Sequence, residues 1–185
     1  ADADRQAPVL ELVKLLREDG ALVCAFEMTV DEARGALDAC ANRIRRNELR
    51  DAYGPSIEYF LETGQTPSDI ELLSARLPQK LESLGLHIEP SPPREMEFQV
   101  DELEFAAALR ASIGYHKEKA LLHDIDCVSA VARIRRGHDS TAIERSKALF
   151  VTPNAQLAKT TKEFFQPDSP PGSVALCVSD HALAS

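Results

Sequence analysis

The spacing of apolar residues in the first fifty positions predicts alternating helices and strands. Apolar residues at 9, 12, 13 and 16 repeat with helical period, and Gly20 ends that helix. The apolar run over 21–26 has the length of a buried parallel strand. Thr29-Val-Asp-Glu32 has the pattern of a capping box and predicts a helix over 30–46. Helix, strand and helix in succession indicate an α/β layer architecture.

The middle of the chain predicts further helices and one connector. A short helix is expected near 55–62, and Thr66-Pro-Ser-Asp69 opens another that is interrupted near Pro78 and ended by Gly85. Pro90-Ser-Pro-Pro93 forbids regular structure. Because an apolar pattern resumes on each side, we interpret this segment as a loop between layers rather than a domain boundary.

The last third predicts four helices and two strands. The helices are expected over 101–114, 117–136 and 154–164, and Ser179-Asp180 opens a further short one. The strands are expected over 148–152 and 174–178. With the run over 21–26, the chain therefore has three predicted parallel strands surrounded by helices.

Composition restricts the class of protein without naming its function. The 185 residues are 44% hydrophobic and carry a net charge of −9, ordinary values for a soluble globular chain. Residues 111–185 nevertheless hold 9 basic and 8 acidic side chains, so a local basic patch is possible there. The four cysteines are isolated, which favours a reducing, cytoplasmic location. No apolar run approaches a membrane span, and the opening without Met suggests a fragment.

Polar side chains follow each predicted strand. Glu27 to Glu32, Asn154 and Asp180 lie there, where open parallel sheets bind their ligands. Converging carboxylates at that edge would coordinate a hard divalent cation such as Mg²⁺ or Mn²⁺. Each residue also has a structural explanation: Glu32 as a capping-box member, Asn154 as a turn residue and Asp180 as the start of a helix.

His123-Asp124-Ile-Asp126 lies on the long helix predicted over 117–136. Positions three, four and seven beyond Asp124 are apolar, whereas those beyond Asp126 include Ser129 and Arg133. Asp124 is therefore expected to face inward, where a carboxylate needs a cation, a metal or hydrogen bonds. Asp126 is expected to face solvent.

The order of these features resembles a PIN-like domain. The resemblance rests on the Thr-x-x-Glu helix start, the Asp-bearing helix with small apolar residues, and the run Leu149-Phe-Val-Thr-x-Asn-x-x-Leu157. It covers roughly residues 7–183, with an inserted helical segment near 50–100. It implies a single domain over 1–185 with a three-layer α/β/α fold and a central, mainly parallel sheet.

The PIN-like family consists of metal-dependent nucleases that mostly act on RNA. The resemblance therefore implies hydrolysis of RNA phosphodiester bonds with Mg²⁺ or Mn²⁺. Glu32 matches the family's helix-start Glu, Asp124 or else Asp126 its mid-domain Asp, and Asn154 a position that often carries Asp. With the strand-edge argument, Glu32, Asp124 and Asp180 become the expected metal ligands, and Asp126 and Asn154 further catalytic candidates.

One departure from the family opens an alternative. The family's first strand carries a leading Asp, but here Asp2 and Asp4 have no apolar run before them. Either that strand lies upstream of this sequence, which favours the nuclease, or this copy lacks it and is an inactive PIN-like binding or regulatory module. A homo-oligomer or a regulatory protein partner is compatible with either reading.

Basic residues near the end of the long helix and beyond it are the expected contacts to single-stranded RNA. They are Arg133, Arg135, Arg136, Lys147 and Lys159, with Arg43, Arg45 and Arg46 as a second cluster. The arginine clusters also lie at helix C-termini, where cations are favoured in any case.

Other enzyme classes are less well supported. An HD-type phosphohydrolase would use His123-Asp124 with His116 and Asp139, but that family is all-helical. Asp124-Ile-Asp126 also has the Asp-x-Asp pattern of metal-using glycosyltransferases, which is weak on a helix. No Gly-x-Ser-x-Gly elbow and no glycine-rich phosphate loop occurs.

Overall fold

The computed structural model describes residues 3–48, 55–94, 96–115 and 117–183 of a mixed α/β protein. The chain divides into two compact units, residues 1–90 and residues 91–185. The division falls inside the proline-rich segment interpreted above as a loop between layers, and a single domain over 1–185 stays a prediction. Within the described ranges, no helix is both long and apolar enough to cross a membrane.

Unit 1 is a helical unit with one parallel strand pair. Its elements are α1 (Ala3–Glu18), β1 (Cys24–Phe26), α2 (Glu27–Arg46), α3 (Pro55–Glu62), α4 (Pro67–Ala75), α5 (Leu77–Ser83) and β2 (His87–Glu89). β1 and β2 run parallel, with Ala25 opposite Ile88. α2 packs against α4, and Ala41, Phe60 and Ile70 form a small buried core.

The two helix starts predicted in unit 1 have different outcomes. α2 begins at Glu27, directly after β1, and Phe26 occupies the N-cap without a side-chain hydrogen bond. Thr29 therefore lies inside the helix, and the capping box predicted there is wrong. At α4 the predicted start at Thr66 is confirmed, and the structure adds a complete capping box, because Thr66 Oγ1 accepts from the Asp69 N–H while the Thr66 N–H donates to Asp69 Oδ2.

Unit 2 contains the larger core and a second parallel pair. Its elements are the 3₁₀ turn Met96–Phe98, α6 (Glu102–Ser112), α7 (Glu118–Arg135), the 3₁₀ turn Ile143–Arg145, β3 (Phe150–Thr152), α8 (Ala155–Phe165), β4 (Cys177–Ser179) and α9 (Asp180–Leu183). β3 and β4 run parallel, joined through α8. Phe105, Leu109, Leu121, Val128 and Leu157 form the centre of the core.

The strands are real but differ from the prediction in extent and grouping. The runs over 21–26, 148–152 and 174–178 each contain or adjoin a three-residue strand, at 24–26, 150–152 and 177–179. β2 was missed because His87-Ile88-Glu89 has one apolar residue between two polar ones. The described strands form one pair in each unit.

Arg135, the last residue of α7, is a structural residue of unit 2. Its side chain is 2% exposed, and its three guanidinium nitrogens donate to the carbonyls of Ala148 at 2.6 Å, Val174 at 2.8 Å and Ala175 at 2.6 Å. Burial lowers the pKa of this guanidinium, and the charge of Asp139 opposes that shift. The expectation that Arg135 contacts phosphate stays a prediction, whereas the structure gives three of its N–H groups to carbonyls of unit 2.

We predict that Arg135→Lys lowers the free energy of unfolding by about 2–4 kcal/mol, because one ammonium cannot satisfy three separated carbonyls. Chemical denaturation followed by circular dichroism measures the change. Arg145→Lys, at an exposed position of the same unit, should change the stability by less than about 0.5 kcal/mol. Equal effects of the two substitutions would contradict the structural role of Arg135.

Candidate functional site

The acidic candidates are divided between the two units. Glu32 lies in α2 of unit 1 and is half-buried, whereas Asp124, Asp126, Asn154 and Asp180 belong to unit 2. Asp4 lies in α1, while Asp2 and His116 fall outside the described residues. The candidates of unit 2 lie on α7 or directly after a strand.

Asn154 and Asp180 follow neighbouring strands at the same edge of the β3–β4 pair, as predicted. Thr152 and Ser179, the last residues of the two strands, stand opposite each other. Asn154 Oδ1 accepts a hydrogen bond from the Leu157 N–H at 3.1 Å, which caps α8. Asp180 Oδ1 accepts from the His181 N–H at 2.8 Å. Both side chains thus lie at the start of a helix and have structural hydrogen bonds there, in line with the structural explanations that the sequence analysis set beside metal coordination.

Asp124 faces the interior and has the partner that its position requires. Its side chain is 19% exposed, and the Tyr115 hydroxyl donates to Oδ2 at 2.7 Å. His123 Nδ1 lies 3.7 Å from Asp124 Oδ1. Asp126, by contrast, is 46% exposed and lies 3.9 Å from Arg94, so the predicted orientations of both carboxylates are confirmed.

Two buried thiols border this carboxylate. Burial, followed by the charge of Asp124, raises the pKa of Cys177 to about 12, against a smaller lowering effect from Thr161. Cys127 Sγ lies 3.4 Å from His123 Nε2 and is fully buried. The Cys177 thiol is therefore neutral at physiological pH and is neither a ready nucleophile nor a ready metal ligand.

The expected metal centre is incomplete in the part of the chain that the structure describes. No group of three His, Cys, Asp or Glu side chains there comes together as a site for a metal ion. Tyr115 and His123 are the polar neighbours of Asp124 that the geometry identifies.

A cavity of about 380 Å³ in unit 2 brings basic candidates together. It is lined by Pro92, Pro93, Phe98, Arg133, Ile134, Arg136 and Lys147, and we call it the basic cleft. Three of the five predicted RNA-contacting residues therefore share one cavity. Lys159 lies elsewhere, exposed on α8 and 3.9 Å from Glu163.

The basic cleft has a buried cation and two exposed ones. The Arg133 side chain is 8% exposed, and its Nη1 lies 3.4 Å from Glu102 Oε1. Its Nε is also buried and meets no acceptor among the described residues. The Arg136 guanidinium lies 5.9 Å from the centre of the Phe98 ring, and Lys147 is exposed.

Sequence reasoning missed the apolar side of this cleft. Phe98 and the two prolines lie 35 to 44 residues before the arginines in the sequence, and no local pattern connects them. The available signal was an aromatic residue a few positions after a proline run in a segment without apolar periodicity.

We predict that the stability which the protein gains from the neutral Tyr115 phenol is lost at alkaline pH. Burial, the hydrogen bond to Asp124 and the nearby charges of Asp124 and Cys177 raise the pKa of the phenol well above its ordinary range. The unfolded chain therefore loses this proton first, and the free energy of unfolding falls as pH rises above about 10. Urea denaturation at increasing pH measures the decline.

In Tyr115→Phe, the part of the alkaline fall in the free energy of unfolding that comes from this phenol should disappear. In Tyr59→Phe, a substitution in unit 1, it should remain. A Tyr115→Phe protein with an unchanged alkaline decline would show that the phenol is not held as described.

Comparison of the chain with protein-family models, curated proteins and solved structures gives no match. The likeness to a PIN-like domain therefore stays a prediction from the motifs named above.

Proposed function

We propose that this chain binds single-stranded RNA through the basic cleft of unit 2. The observation that carries the proposal is the convergence of Arg133, Arg136 and Lys147 on one cavity beside an aromatic ring. Each charged residue that lines the cleft among those described is basic. Cations supply affinity for the phosphate backbone, and unpaired bases stack on aromatic rings and arginine planes.

The proposal includes the PIN-like fold. A three-layer α/β/α arrangement with a central, mainly parallel sheet is part of this proposal, and the parallel β3–α8–β4 connection of unit 2 supports it. A cytoplasmic location belongs to the same proposal and is supported by four free cysteines.

Metal-dependent cleavage of the bound RNA is a second candidate, favoured by Asp124. Its carboxylate remains on an otherwise apolar helix face, and the hydrogen bond from Tyr115 is of the kind that orients a ligating carboxylate. Glu32 and Asp124 are the proposed ligands of Mg²⁺ or Mn²⁺, with Asp126, Asn154 and Asp180 as further candidates. Because the described residues assemble no three-ligand site, we derive no reaction step.

We predict that Lys147→Ala and Arg136→Asn each weaken RNA binding about three- to tenfold, because each removes a cation from the cleft. Asn suits position 136, whose backbone φ is +49°. Fluorescence anisotropy with a labelled single-stranded RNA measures the affinity. Lys119→Ala removes one positive charge from the exposed start of α7, at the other end of that helix from Arg133, and should leave the affinity within about twofold. If the three variants bind alike, the cleft is not the RNA site.

For the second candidate, we predict Mn²⁺-dependent cleavage that is lost in Glu32→Gln and in Asp124→Asn. Asp31→Asn, at an exposed neighbouring position, should cleave normally. The readout is the length of labelled RNA fragments, with thermal denaturation to show that each variant is folded. Full activity of the Glu32→Gln/Asp124→Asn double variant would overturn the ligand assignment. RNA binding by a wild-type chain that does not cleave would favour the inactive binding module.

A further inference from the structure

The basic cleft is deeper and more selective than a surface patch of cations. Arg133 is nine-tenths buried, whereas Arg136 and Lys147 are exposed. A ligand must therefore enter the cavity to reach Arg133, but it meets the other two cations on approach. Only a group that projects from its parent molecule can make all three contacts.

The acidic side chains near Arg133 do not neutralise every cation of the basic cleft. Glu102 lies 3.4 Å from Arg133 and 3.3 Å from Arg94, so one carboxylate is shared between two guanidinium groups. Asp126 lies near Arg94, at 3.9 Å. Lys147 has no acidic partner among the described residues. The cleft therefore retains positive charge for an anion.

Arg133 also has an unmet hydrogen-bonding requirement. Its Nε is buried and meets no acceptor within the described part of the chain. A buried donor without an acceptor costs about 1–3 kcal/mol, so Arg133 has hydrogen-bonding capacity that its protein neighbours leave unused. Phosphate oxygens suit a guanidinium especially well, because its donors match them in geometry and charge.

The shape of the cleft distinguishes two kinds of phosphate. A phosphodiester inside a strand has a sugar on each side and one negative charge, so it cannot enter a small cavity end-on. A terminal phosphate monoester has one sugar, three free oxygens and a charge of about −1.5 to −2 near neutral pH. A volume of about 380 Å³ lies in the range of small-ligand sites.

The apolar residues of the cleft suit the rest of the end nucleotide. Phe98, Pro92 and Pro93 line the same cavity as the cations. Arg136 already lies over the Phe98 ring, which gives a cation and an aromatic surface at one place. Bases of single-stranded RNA stack on surfaces of this kind.

We infer that the basic cleft binds the terminal phosphate of an RNA strand, with Arg133 and Lys147 on the phosphate and Phe98 against the end nucleotide. This inference rests on the proposed RNA binding and makes it selective for strand ends.

The test compares RNA strands of one sequence, about eight nucleotides long, that differ only at their ends: 5′-phosphate, 3′-phosphate, or hydroxyl at both. A labelled hydroxyl-ended strand is displaced by each unlabelled strand, and the competition gives their relative affinities. We expect one phosphorylated strand to bind about tenfold more tightly than the hydroxyl-ended strand. The phosphorylated strand with the higher affinity identifies the end that is bound.

Substitutions in the basic cleft then test whether the preference for a phosphorylated end arises there. Lys147→Ala and Phe98→Leu should reduce the tenfold preference to about twofold or less, while Lys119→Ala, at the exposed start of α7, should keep it. Neither test variant depends on replacing the buried Arg133, so a folding defect is avoided. A preference that survives in Lys147→Ala and Phe98→Leu would place the phosphate outside the cleft and overturn the inference.

The same experiment separates the inference from the proposed function. Equal binding of all strands overturns the end preference but leaves RNA binding intact. If no strand binds, the proposed function fails. Calorimetry with AMP and adenosine then tests whether the basic cleft binds a phosphate monoester in the absence of RNA binding. Binding of AMP but not of adenosine would support a phosphate site, whereas failure of both would overturn it.

Discussion

The structure of unit 2 depends on the bonds from the Arg135 guanidinium to the carbonyls of Ala148, Val174 and Ala175. These carbonyls lie in the segments just before β3 and β4. A buried cation is costly unless its donors are satisfied, so the residue fixes the end of α7 against both segments at once. Arg133 and Arg136 flank Arg135 in the sequence, and the position of the basic cleft therefore follows from this buried contact.

The two functional candidates of unit 2 lie at different points along α7. Asp124 and Tyr115 form a half-buried polar pair near the first half of the helix, whereas Arg133 and Arg136 lie at its end. Nine residues of helix separate Asp124 from Arg133, or about 13 Å along the axis. An RNA strand held by its end in the cleft would need to extend along the helix to reach Asp124. Binding and cleavage are therefore separable properties.

Sequence reasoning succeeded where a local pattern determines the structure. The periodicity of residues 117–136 predicted α7 and the inward direction of Asp124, and Thr66 followed by Pro67 predicted the start of α4. It failed where a contact joins distant positions. The carbonyl partners of Arg135 are 13 to 40 residues away, so the residue looked like any helix-terminal cation. Tyr115 and Phe98 gained their partners in the same way, through packing.

The predicted box at Thr29 failed for a different reason. Thr-x-x-Glu is a frequent helix start, but β1 passes into α2 without a loop, and the helix begins three residues earlier than predicted. Capping patterns locate a helix start only when a connecting residue precedes it. Tertiary context decided this boundary, as it decided the extent of the short strands.

The most direct test of the account is an NMR titration of the Nε–H resonances of Arg133 and Arg135 with single-stranded RNA. Arg135 serves as an internal control because its donors are occupied in the free protein. The account predicts that Arg133 Nε–H and the Phe98 ring shift in proportion to bound RNA, while Arg135 Nε–H stays unchanged. Shifts confined to unit 1, around Arg43, Arg45 and Arg46, would contradict the account.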